Sequence, residues 1–165
     1  MQLDKNNKIS INSFFMKTNY INFYNKLIQL TTNKSLYSGL SKQDVFEDRL
    51  VIFLTHFAFI LKTYKNKENT KILQNLYDFN FRQLELSIRE IGYGDQSINK
   101  KMKDYINFFH FIVSEIHFWE DMSIEDKKKK IKNILRNFDK INDIVEYFDN
   151  FRLNLSKKTL NSYLK

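Results

Sequence analysis

A chain of 165 residues has the length of one ordinary domain. With no Cys, no Pro and only Gly39, Gly92 and Gly94, it has no disulfide staples, thiolate metal sites or cysteine nucleophile, and little material for the tight turns of a sheet protein. Its 42% hydrophobic and 16% aromatic content is too rich for a disordered chain, and its charge of +8 is uneven: sixteen Lys and Arg face thirteen Asp and Glu up to residue 122, then eleven face six.

The first residues, Met1-Gln2-Leu3-Asp4-Lys5-Asn6, lack the apolar run of a secretory signal and the Arg-rich look of a transit peptide. From Phe14 to Thr31, apolar residues at Tyr20, Phe23, Tyr24, Leu27, Ile28 and Leu30 recur at helical steps and predict a first helix. Ser41-Lys42-Gln43-Asp44 has capping-box spacing and predicts the start of a second, from about Val45 to Tyr64, apolar on nearly every side. Its most apolar part, Leu50 to Leu61, is too short to span a bilayer.

Asn69 or Thr70 is expected to cap a third helix with Leu73, Leu76, Tyr77, Phe81, Leu84, Ile88 and Ile91 on its core stripe, and Gly92 just past its end. Asp95 is expected to cap a fourth, with Ile98, Met102, Tyr105, Phe109, Ile112, Ile116 and Trp119 facing inward. Ser123-Ile124-Glu125-Asp126 predicts a fifth helix, and Asp139 the restart into a sixth bearing Ile141, Ile144, Val145, Phe148 and Phe151. The fold class is therefore all-α, a single bundle-like domain of about six helices. Its expected organisation is a flexible 1–13, a helical domain over 14–122, basic helices over 123–155 packed on that domain, and a flexible tail over 156–165.

Chemistry-bearing patterns are few. His110, Ser114, His117 and Asp121 share one helical face, but two histidines two turns apart are about 10 Å from each other along the axis, too far for one metal. No phosphate loop, nucleophile elbow or dinucleotide fingerprint occurs, so no enzyme activity and no cofactor are expected. His56, inside an apolar helix, reads as a packed and hydrogen-bonded core residue. Lys127, Lys128, Lys129 and Lys130 occupy every side of one turn, so some of them face solvent or an anionic surface, either a membrane or ribosomal RNA. No aromatic residues are interleaved with them for stacking, and DNA is not an expected partner.

A second apolar stripe appears on two helices: Ile72, Phe79 and Leu86 on the third, Phe111 and Phe118 on the fourth. Either these helices are buried all round, or they expose an apolar groove. Arg89 and Glu90 close the third helix where Asp95 opens the fourth, so the three charges are expected to converge and hold a half-buried arginine at the corner.

The stretch Leu86-Ser87-Ile88-Arg89-Glu90-Ile91-Gly92-Tyr93-Gly94-Asp95, followed by Lys100-Lys101-Met102-Lys103, closely resembles the signature of the ubiquinol-cytochrome c chaperone family. Arg49 seven residues before His56, Phe108-Phe109 and Leu36-Tyr37 are further matches. The sequence departs from the family in the loop from Ser38 to Asp48, and in having His110-Phe111 where the family has Gly-Arg. The resemblance, over roughly residues 20 to 120, implies a non-enzymatic assembly factor for respiratory complex III that binds newly made cytochrome b. It further implies a small helical co-chaperone, a place near the ribosomal tunnel exit and peripheral membrane contact. The expected location is cytoplasmic and peripheral to the inner membrane in a bacterium, or the matrix side of that membrane in a mitochondrion. A basic helical protein that binds RNA or the ribosome is the alternative.

Overall fold

The computed structural model describes residues 18–38 and 46–165. The predicted capping box at Ser41 to Asp44, the segment 1–13 and the start of the first helix lie outside the described residues. Six long helices, the shortest of 11 residues, account for most of the rest, and no extended strand occurs among the described residues. They are α1 (18–30), α3 (Phe46–Tyr64), α4 (Thr70–Glu90), α5 (Asp95–Glu115), α6 (Ile124–Ile134) and α7 (Ile141–Ser156), with short helices α2 (Lys34–Tyr37) and α8 (Leu160–Leu164).

The bundle is organised around α3, whose largely apolar middle reflects burial on all sides: every residue from Ile52 to Ile60 is buried, Thr55 and His56 included. Phe57 stacks on Phe109 of α5 at 5.3 Å and meets Phe23 of α1 edge-on at 6.0 Å. Phe59 stacks on Phe148 of α7 at 5.0 Å and receives the edge of Trp119 at 5.1 Å. Aromatic rings thus make the joints between α3 and its neighbours, each ring burying a large apolar area.

His56 fits the same logic. It is fully buried among Tyr147, Phe148 and Phe151. Its Nδ1 donates to the Ile52 carbonyl at 2.8 Å, so Nε2 is free to accept from the Tyr147 hydroxyl at 2.7 Å. Burial lowers its pKa to about 4, against a smaller opposing effect of the Ile52 bond, and the imidazole is neutral at pH 7.

Several helix ends differ from their sequence reading. Asn69 precedes α4 but does not cap it; its amide instead donates to the Tyr64 carbonyl at 2.8 Å and closes the α3–α4 turn. Gly94, in extended conformation, is the N-cap of α5, and Asp95 is the first helical residue, its carboxylate drawn away towards Arg89. Lys140 rather than Asp139 precedes α7. Ile91 follows the last turn of α4 and is 56% exposed, outside the core stripe. The helix start expected at Ser123 does form: Ser123 Oγ accepts from the Asp126 backbone amide at 3.1 Å.

The tail expected to be flexible from 156 onward instead forms α8, capped by Thr159. Leu160 and Leu164, one turn apart, are both buried. Lys26 of α1 donates to the Tyr163 carbonyl at 2.8 Å, and Phe23 meets the Tyr163 ring at 6.1 Å. The sequence signal was weak because five residues carry too little periodicity to read.

Candidate functional site

The α4–α5 corner contains five of the motif residues, Arg89, Glu90, Gly92, Gly94 and Asp95. Gly92 has φ +100°, a left-handed conformation in which a side chain is strained, and it turns the chain between the helices. Arg89 bridges Glu85 at 2.8 Å and Asp95 at 2.5 Å, and these carboxylates raise its pKa. Two expectations are corrected here. The arginine is exposed rather than half-buried, and Glu85, one turn back on the same helix face, takes the place expected for Glu90, which is exposed and has no part in the bridge. The corner also exposes Leu86, Ile91 and Tyr93, the last with Lys101 Nζ 4.5 Å from its ring centre.

The remaining motif residues do not assemble into one place. Tyr37 donates to the Thr31 carbonyl at 2.6 Å and packs on Phe138, and His56 is in the α3–α7 joint. Arg49 is exposed beside a hollow of about 210 Å³ among α1, α3 and α4. Phe109 is buried, whereas Phe108 and Phe111 are half-buried and stack on each other at 5.9 Å.

The two apolar stripes have different fates. On α4, Ile72 packs against the core and Phe79 against Tyr20 of α1 at 5.9 Å, leaving Leu86 exposed. On α5, Phe111 is half-buried, and Phe118, in the turn after the helix, is 63% exposed with the His117 ring beside it at 4.5 Å.

Between α4 and α5 runs an open groove. Its corner end, about 550 Å³, has Phe81, Met102 and Ile106 along the floor, with Asp78, Arg82 and Glu85 on one rim and Lys103 on the other. Its far end, about 490 Å³, is joined by α3 and has Leu61, Leu73 and Val113 beneath Lys62, Lys65, His110 and His117. Tyr77 lines both, its hydroxyl sharing a hydrogen bond with His110 Nε2 at 3.2 Å. From Thr70 to Glu85 the α4 wall is roughly 22 Å long, enough for four turns of a helix. The sequence signal for this groove was the shared face of His110 and His117; the contribution of α3 could not be read from one helix. Among the described residues, no cluster of His, Asp and Glu could hold a metal ion.

The lysine run has partners within the chain. Lys127 pairs with Asp149 at 2.8 Å and lies 5.3 Å over Trp119, whose indole donates to the same carboxylate at 2.7 Å. Lys130 bonds Glu115 at 2.8 Å, with Asn133 donating to the other oxygen at 2.7 Å. Burial pushes the Glu115 carboxyl up, but these two donors outweigh it and its pKa is lowered. Lys128 pairs with Glu125 at 2.9 Å and Lys129 with Asp126 at 3.7 Å, and of the four only the Lys129 side chain is mostly exposed. The run is thus largely a set of joints rather than a free cationic face.

A family model for the ubiquinol-cytochrome C chaperone matches residues 39–137. The chain belongs to that family. No curated protein and no solved structure matches it. The matched region contains α3 to α6, and with them the corner, the groove and Phe118. Family membership supports a role as an assembly chaperone of respiratory complex III, acting on a client protein. No described helix is long and apolar enough to cross a membrane.

Proposed function

We propose that the chain holds newly made cytochrome b through the α4–α5 groove and hands it on during assembly of complex III, making and breaking no bond. The observation that carries this reading is the open groove with Phe118 exposed beside it, inside the region that the family model matches. An aromatic side chain left in water forgoes about 1.5–3 kcal/mol that burial against an apolar partner recovers. A small helical co-chaperone and the ribosomal tunnel exit are further partners in this reading. Membrane contact, on the cytoplasmic or matrix side, would draw on the exposed Lys129 more than on its less exposed neighbours. The RNA-binding alternative loses most of its motive, because the lysines that suggested it are engaged by carboxylates.

A strain lacking the protein provides the test. Mature complex III should fall while cytochrome b is made and then degraded, and tagged protein should recover cytochrome b from native membranes. Normal complex III in the deletion strain would overturn the reading.

A further inference from the structure

The two ends of the groove differ in charge. At the corner end both signs line it, whereas at the far end Lys62, Lys65, His110 and His117 are lined up with no carboxylate among the lining residues. Two neighbouring acids are held by other groups: Glu120 by Lys62 and Arg152, and Asp78 by the Gln74 side-chain amide. Lys65 is exposed and has no ion pair among the described residues, and the His117 ring rests against exposed Phe118. Below them the surface is apolar.

We propose that this far end is a carboxylate subsite, which takes an apolar client segment at a point where that segment carries Asp or Glu. A carboxylate inside an apolar segment is costly to shield unless it is paired and hydrogen-bonded. Lys65 on its flexible stem supplies the charge and an imidazole of His110 or His117 supplies a donor, next to apolar surface for the flanking side chains. The inference rests on the client reading above and deepens it by naming the chemistry of the bound segment.

The test uses the full chain and a fluorescein-labelled Leu/Ala peptide of about four helical turns carrying one central Asp, with its Asn and Lys counterparts. Anisotropy should show the Asp peptide binding about tenfold tighter than the Lys peptide. Lys65→Glu should abolish that preference, and His110→Gln with His117→Gln should narrow it. Lys132→Glu, the same charge change on an exposed position of α6, should leave it intact. Equal binding of the three peptides, no binding of any, or an unchanged preference in Lys65→Glu would each overturn the subsite. So would displacement of the Asp peptide by phosphatidylglycerol vesicles from the parent protein but not from Lys65→Glu, which would mark a lipid site. Undiminished recovery of cytochrome b by Lys65→Glu defeats the subsite and leaves the client reading standing. If the parent protein recovers none, the client reading itself fails.

Discussion

The α3–α7 pair and the α4–α5 pair have similar aromatic content and opposite fates. Between α3 and α7, Phe59, Phe148 and His56 are wholly buried, and the one polar ring has a partner on each nitrogen. Between α4 and α5, Phe81 meets Phe109 edge-on at 5.4 Å, but Tyr77, Met102 and Ile106 remain half-buried along an open groove. The rings of the first pair are taken up in the joint itself, and the second keeps apolar surface in reserve. Stability and recognition are thus separated onto different helices, and substitutions should distinguish them.

The largest effect is expected at the closed pair. Phe148→Ala removes a fully buried ring stacked on Phe59 and should cost about 3–5 kcal/mol in urea unfolding. Acid attacks the same place. With a folded pKa of about 4 against 6.5 unfolded, His56 leaves the unfolded state binding more protons between those values. Stability from this group is therefore intact above pH 6.5 and falls as the pH drops towards 4, by about 3 kcal/mol over the window. His56→Phe should remove that part of the slope.

Intermediate effects test the joints. Lys130→Met strands the Glu115 carboxylate and should cost about 1–2 kcal/mol, whereas Lys129→Met, at the exposed end of the run, should change stability by less than about 0.5 kcal/mol. At the corner, Gly92→Ala should cost about 1–2 kcal/mol because φ is positive there. Gly94→Ala, with extended backbone and open space around it, should cost about 0.5 kcal/mol or less. An equally small stability effect is expected beside the open pair: Phe118→Ser should leave unfolding within about 0.5 kcal/mol of the parent while lowering recovery of client.

Much of the fold was legible because α3, α4 and α5 are long and their apolar periods match their burial. The helix start at Ser123 and the turn at Gly92 were legible because capping and positive φ are local requirements. What was not legible depended on distance in the chain. Nothing near Lys127 or Lys130 in sequence announces Asp149 or Glu115 as its partner, and a run of four like charges looks free until the tertiary fold supplies the acids. Asp95 looked like a cap for the converse reason: its side chain has a competing cation on the preceding helix. The groove's far end needs Leu61 of α3 and Lys65 just after it beside His110 of α5 and His117 just after that helix, a meeting that no single helical wheel contains.

The single tryptophan of the chain lies at the junction of α5, α6 and α7, fully buried, with Asp149 on its indole nitrogen and an ammonium over its ring. Nature has therefore placed an optical probe on the closed side of the molecule. Its emission should be blue-shifted in the native state and move to longer wavelength on denaturation, giving a fluorescence readout of integrity that needs no label and leaves the recognition surface untouched.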